Sequence, residues 1–256
     1  MLRPARALVV ALSLSLLVLA PATASATGTT TEPTQPAEPT GDPMAGAPAV
    51  GTCYQLTYDE LMAVSTPAEP VDCTSRHTAQ VLAVLTLPDG LDWDSSPARL
   101  DRLTQKACSP AHSEVVKDDP RVHARTLVQF SYFYPDAAEQ EAGARWFRCD
   151  VSLRTGDTLL RLPEELPRVR RAAAIDDTVG RCVTRKYTYT ACSTSHRYVH
   201  AAAIVVDGVR PRSAERVLAE VAHRRCPRRT TGRAWIWSAA PTGTRREHVV
   251  VCYQRG

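Results

Sequence analysis

This 256-residue chain has no Cys-x-x-Cys pair, the usual mark of a thiol oxidoreductase. It has no Gly-x-Ser-x-Gly elbow, so it offers no ready serine nucleophile. Beyond the N-terminus, no apolar stretch approaches the roughly 20 residues that cross a bilayer. Lysine is scarce too: Lys106, Lys117 and Lys186 stand against a large excess of arginine.

What is present is an even set of eight cysteines in two groups of four. The first is Cys53, Cys73, Cys108 and Cys149, and the second is Cys182, Cys192, Cys226 and Cys252. The residues around them repeat. Each group opens with Gly-x-Cys, at Gly51 and Gly180, and each second cysteine is followed four residues on by a histidine, His77 or His196. An apolar run comes next in both, Val81–Leu85 and Ala201–Val206, and Asp-Gly closes it. A short apolar run stopped by a turn dipeptide reads as a buried strand. A helix is expected from Ser95-Ser96-Pro97 in the first copy and from Ser213 in the second, each ending near its third cysteine. Tyr132 and Tyr134, like Trp235 and Trp237, share a strand face by the two-residue period. They read as core beneath the helix, with stacking on wall sugars as the alternative. Each unit therefore reads strand, strand, helix, strand, strand. The expected class is α+β: two similar disulfide-stapled repeats, each a small antiparallel sheet with one packed helix.

The N-terminus reads as a secretory signal. Arg3 and Arg6 precede the apolar Ala7–Ala20, and Ala24-Ser25-Ala26 fits a cleavage site. Retention as an N-terminal membrane anchor is the alternative. Residues 27–50 are rich in Thr, Pro and Ala and read as a disordered linker. Repeat 1 is placed at 51–153, an extended connector with a short helical turn at 154–177, and repeat 2 at 178–256. Export with an even cysteine count implies disulfides, and four cysteines per unit leave three pairings open.

Cys73-x3-His77 and Cys192-x3-His196-x3-His200 have the spacing of zinc ligands. An oxidising compartment pairs the thiolates that zinc would need, so no metal and no cofactor is expected. His77 and His196 are read as turn-capping groups rather than catalytic ones.

Charge divides the copies. Residues 51–153 carry 9 Lys and Arg against 15 Asp and Glu; residues 178–256 carry 15 against 4. Arg224, Arg225, Arg228, Arg229, Arg245 and Arg246 make the densest clusters and form a candidate patch for an anionic ligand. Docking of this basic copy on the acidic one is the competing use of the charge. Nucleic acid, which an exported protein rarely meets, is not expected as a partner.

The Gly-x-Cys opening, Val71-Asp72-Cys73-Thr74-Ser75-Arg76-His77, the helix cysteine, Tyr134-Pro135 and the closing strand cysteine resemble the actinobacterial septum formation family. Repeat 1 carries most of the likeness, and repeat 2 is a divergent copy. Where the family commonly has an acid three residues after the histidine, this chain has Gln80 and Val199. The resemblance implies a cell-envelope or division association and brings no catalytic set. The expected function is a non-catalytic exported binding or scaffold module, acting on an anionic envelope polymer, a lipid surface or a division protein. An envelope hydrolase is the alternative.

Overall fold

The computed structural model describes residues 41–171, 174–244 and 246–256. The signal segment and most of the linker therefore lie outside the described residues. Repeat 1 contains β1 (Cys53–Tyr54), α1 (Tyr58–Met62), β2 (Pro70–Val71), β3 (Ala79–Thr86), α2 (Pro97–Val115), α3 (Pro120–His123), β4 (Val128–Phe133), α4 (Ala137–Glu141), β5 (Trp146–Thr155) and β6 (Thr158–Leu160). Repeat 2 contains β7 (Arg181–Val183), β8 (Tyr189–Ala191), β9 (Tyr198–Val206), α5 (Ala214–Arg225), β10 (Trp235–Pro241) and β11 (His248–Arg255).

The two antiparallel sheets share one topology. The first runs β2-β1-β3-β5-β4, with β6 added to β5, and the second runs β8-β7-β9-β11-β10. Even an irregularity recurs. The β3–β5 register shifts between Val81 and Ala83, leaving Leu82 unpaired, and the β9–β11 register skips Ala201. Leu82 and Ala201 each stand five residues after the repeat-matched histidine. A bulge bends its strand and increases its twist, so both sheets curve around their helix at the same place. The class is α+β, in two disulfide-stapled copies.

Each helix covers one face of its sheet. Leu100 and Cys108 of α2 meet Phe147 and Cys149 of β5, with Tyr132 and Tyr134 partly buried beside them. Leu218 and Ala222 of α5 meet Ile204, Val250 and Cys252, with Trp235 and Trp237 alongside. The aromatic pairs thus pack under the helices, as their two-residue spacing predicts. Pro97 starts α2 at a position where a missing N–H costs nothing. Contrary to the sequence expectation, α2 continues beyond Cys108 to Val115, past Pro110. Cys226 does lie at the end of α5.

The opposite faces are covered differently. In repeat 1 the long β1–β2 connection brings Leu56, and Leu61 of α1, onto Tyr54, Val81 and Phe133. A capping box between Thr57 and Glu60 starts that short helix. In repeat 2 the β7–β8 connection is only a short turn, at 184–188. Its missing cover comes from repeat 1: Ala124, just after α3, packs with Val183, Tyr198, Val251 and Tyr253. Main-chain bonds fix the junction, from Leu127 N–H to the Val179 carbonyl and from Arg181 N–H to the Arg125 carbonyl, both 2.8 Å. The two repeats consequently belong to one compact unit.

Two boundary expectations are revised. Residues 41–50, read as part of the disordered linker, lie against repeat 1: Trp146 Nε1 donates to the Ala45 carbonyl, and Arg145 N–H to that of Pro43. The connector, placed at 154–177, is not extended from its start: its first residues complete the β5–β6 hairpin and so belong to the sheet of repeat 1. Farther on Val169 bridges in parallel to Val116, and one helical turn closes the segment, with Gly180 N–H bonded to the Asp176 carbonyl at 2.8 Å.

Candidate functional site

All eight cysteines are paired: Cys53–Cys73, Cys108–Cys149, Cys182–Cys192 and Cys226–Cys252. The pairing is first-to-second and third-to-fourth in both copies. The first bridge ties the opening strand to the turn before the histidine, and the second ties the helix to the last strand. Four disulfides place the folded chain in an oxidising, extracytoplasmic environment. Among the described residues, no helix is long and apolar enough to cross a membrane.

The opening glycines serve different needs. Gly51 adopts φ +90°, where L side chains rarely sit. At Gly180 a Cβ would lie 3.2 Å from Cys192 Sγ and from the His200 ring, so packing excludes it.

The matched histidines occupy one local motif. His77 Nδ1 donates to the Ser75 carbonyl at 3.0 Å, and His196 Nδ1 to the Thr194 carbonyl at 2.8 Å. A carbonyl can only accept, which fixes the proton on Nδ1 of each ring. His77 is fully buried, whereas His196 is half-buried. Replacing His77 by alanine should therefore cost about 2 to 3 kcal/mol of stability, and replacing His196 less than about 1 kcal/mol. Urea titration of the two oxidised variants checks this; equal losses would contradict the packing difference.

Zinc spacing brings together Cys182, Cys192 and His200 rather than the expected Cys192, His196 and His200. The two sulfurs are bonded to each other, so the trio offers one ligand, not three. His200 donates to the Arg181 carbonyl. Burial, aided by the nearby Arg125 charge, lowers its pKa to about 4.

The arginine patch is only partly assembled. Arg224 and Arg225 end α5, and Arg228 and Arg229 follow in the next turn; all four are exposed. Exposed Arg233 extends the same loop, a residue the sequence clusters missed because it stands alone. Cations suit this end of a helix, where carbonyls carry partial negative charge. Arg246 sits at the opposite end of α5: its carbonyl accepts from Val209 N–H, just before the helix. Arg245 lies outside the described residues. Of the four, Arg224 has an acidic neighbour, Glu220 at 3.2 Å on its own helix. Among the described residues, no ion pair joins repeat 2 to repeat 1; the junction is held by apolar side chains, main-chain bonds and Arg181, whose Nε donates to the Thr126 carbonyl at 3.0 Å.

A buried charge pair, singled out by nothing in the sequence reading, lies on the other sheet face of repeat 1. Arg148 Nε is 3.3 Å from Asp150 Oδ2, with side-chain exposures of 5% and 0%. The guanidinium lies over the Tyr54 ring at 4.1 Å and the Phe133 ring at 4.5 Å. Burial outweighs the attraction of Arg148 and pushes the Asp150 pKa up to about 7.

The fold and these sites define the class: a tandem, disulfide-braced α+β protein of oxidising compartments, with one acidic and one basic copy. Searches of family models, curated proteins and solved structures find no match to this chain.

Proposed function

We propose that the protein is a non-catalytic, exported cell-envelope module, akin to the septum formation family, that engages an anionic envelope component through the arginine face of repeat 2. One observation carries this reading. The arginines at the end of α5 are not spent on repeat 1: the copies meet through apolar side chains, main-chain bonds and one arginine, Arg181, whose Nε donates to the Thr126 carbonyl at 3.0 Å. The four at the helix end are exposed, and among the described residues Arg224 alone of them is offset by an acid, Glu220. Arginine suits phosphate and carboxylate, which its fork can grip with two parallel bonds. The reading of His77 and His196 as structural is supported by their bonds to main-chain carbonyls two residues away. Secretion by the N-terminal segment, with cleavage after Ala26, belongs to the same proposal.

Co-sedimentation with phosphatidylglycerol vesicles, and separately titration with soluble polyphosphate, tests it. A variant with Arg224, Arg225, Arg228 and Arg229 all changed to glutamine should bind on the order of a thousandfold more weakly, since each arginine near an anionic surface contributes about 1 kcal/mol. Binding should also weaken with salt. Unchanged affinity in the variant, or no binding to either probe at low salt, would overturn the proposal. The two probes separate a lipid surface from a soluble polymer.

A further inference from the structure

A cleft of about 550 Å³ opens in repeat 1 between the start of α2 and the segment joining β4 to α4. Its walls carry Trp93, Tyr132 and Tyr134, together with Asp101 and Asp136. Trp93 comes from the loop before α2 and Asp101 from its first turns. Tyr132 comes from β4, and Tyr134 and Asp136 from the turn after it. The Trp93 and Tyr134 ring centres are 5.1 Å apart at 48°, and those of Tyr132 and Tyr134 are 5.6 Å apart at 36°. The rings are mutually tilted rather than stacked, so they form a curved wall, not a flat platform.

The polar ends of these rings are already engaged. Trp93 Nε1 donates to the Ala144 carbonyl at 2.9 Å, the Tyr132 hydroxyl donates to Asp101, and the Tyr134 hydroxyl is 3.5 Å from Thr104 Oγ1. Gln140 Nε2 gives one of its two N–H groups to the Pro135 carbonyl, and Ser95 Oγ donates to Asp92. What the cleft offers a ligand is therefore mainly aromatic surface and carboxylate oxygens. Asp101 also accepts from Gln105, and Asp136 from Glu139 N–H, but each carboxylate keeps its charge and spare lone pairs. The Ser65 hydroxyl and the second Gln140 N–H are its remaining side-chain donors among the described residues. No Lys, Arg or His lines it.

That inventory selects among ligands. An anion would meet two carboxylates and no cation. A neutral sugar could lie on the rings and donate its hydroxyls to the carboxylates, but it would leave their two negative charges uncompensated. An ammonium group needs only what is there: ring faces that attract a cation through their quadrupole, and carboxylates that attract its charge and accept its N–H bonds. We propose that this cleft is a binding site for an organic ammonium group, carried by an amine-bearing small molecule or polymer. It is independent of the arginine face, which lies on the other copy and takes the opposite charge.

The test is titration of the whole oxidised protein with tetramethylammonium chloride and with a neutral N-acetylglucosamine oligomer, followed by nuclear magnetic resonance. The expected result is saturable shifts at Trp93, Tyr132 and Tyr134 with the ammonium probe, competed by salt. Affinity should fall about tenfold in Trp93→Ala, in line with loss of a desolvated cation–π contact. Asp101→Asn should lower it severalfold while leaving the apolar wall in place. This second variant keeps the test decisive if Trp93→Ala does not fold. Absence of ammonium binding to the natural chain, equal binding by Asp101→Asn, or saturable shifts with the sugar alone would each overturn the assignment.

Discussion

Replacing Arg148 with methionine should destabilise the protein, and by about 1 kcal/mol more at pH 8 than near pH 5. Methionine keeps the stem but stops short of the guanidinium that lies on Tyr54 and Phe133, so the pH dependence of the loss, rather than its size, isolates the charge. Without the guanidinium, Asp150 stands fully buried with no cation beside it. Its pKa is about 7 even with Arg148 present and must rise further without it. The sign follows from proton linkage. The folded state keeps the Asp150 proton where the unfolded chain, with an ordinary value of 3.8, has lost it. This group therefore favours the fold most in acid, and its contribution declines as pH rises from about 4 to about 7. His112 and His200 act in the opposite sense. Burial holds both near pKa 4, so they favour the fold above 6.5 and withdraw that support as pH falls toward 4. Pairing Arg148→Met with Asp150→Leu should recover most of the loss, because it removes the stranded carboxylate. Urea midpoints at pH 5 and pH 8 for the three variants decide the matter. A pH-independent loss in Arg148→Met would rule out the stranded charge as its cause.

The second large effect is expected at the bridge between α2 and β5. Cys108 and Cys149 enclose the longest loop of the four, a separation of 41 residues against 26, 20 and 10 for the others. Restricting a loop of that size in the unfolded chain contributes about 4 kcal/mol, against about 3 kcal/mol for the shortest. Both sulfurs are also fully buried among Leu100 and Phe147, so alanine at both positions leaves a core void. The double variant should lie near the edge of folding. Removing the Cys182–Cys192 bridge should be the mildest of the four losses. Thermal melting of the four double-alanine variants gives the order directly. A milder effect at Cys108–Cys149 than at Cys182–Cys192 would contradict the ranking.

The duplicated frame was readable because its markers are chemically distinctive and evenly spaced. Gly-x-Cys, Cys-x3-His and the paired aromatics fall on equivalent strands in both copies. The disulfide pairing was not readable, because no local rule chooses among three pairings; it depends on which strands end up adjacent. Arg148 and Asp150 were missed for a related reason. Their alternation with Phe147, Cys149 and Val151 is that of a strand with one wet face. The segment that buries them, residues 55–70, is irregular and has no period to detect. The cleft was half visible. Tyr132 and Tyr134 stood out through the repeat, but Trp93 has no aromatic counterpart in the matching loop of the second copy. The arginine clusters looked like one patch because proximity in sequence stands in poorly for proximity across a helix, and Arg246 lies beyond the far end of α5.

The cover exchanged at the junction makes each half dependent on the other. Ala124 of the earlier copy lies on Val183, Tyr198, Val251 and Tyr253 of the later one. In return Val179 and Ala191 of the later copy fill the core of the earlier one beside Val116, Leu127 and Val151. Cutting the chain between them would lay apolar side chains bare on both pieces, so neither half is expected to persist alone as a well-packed body.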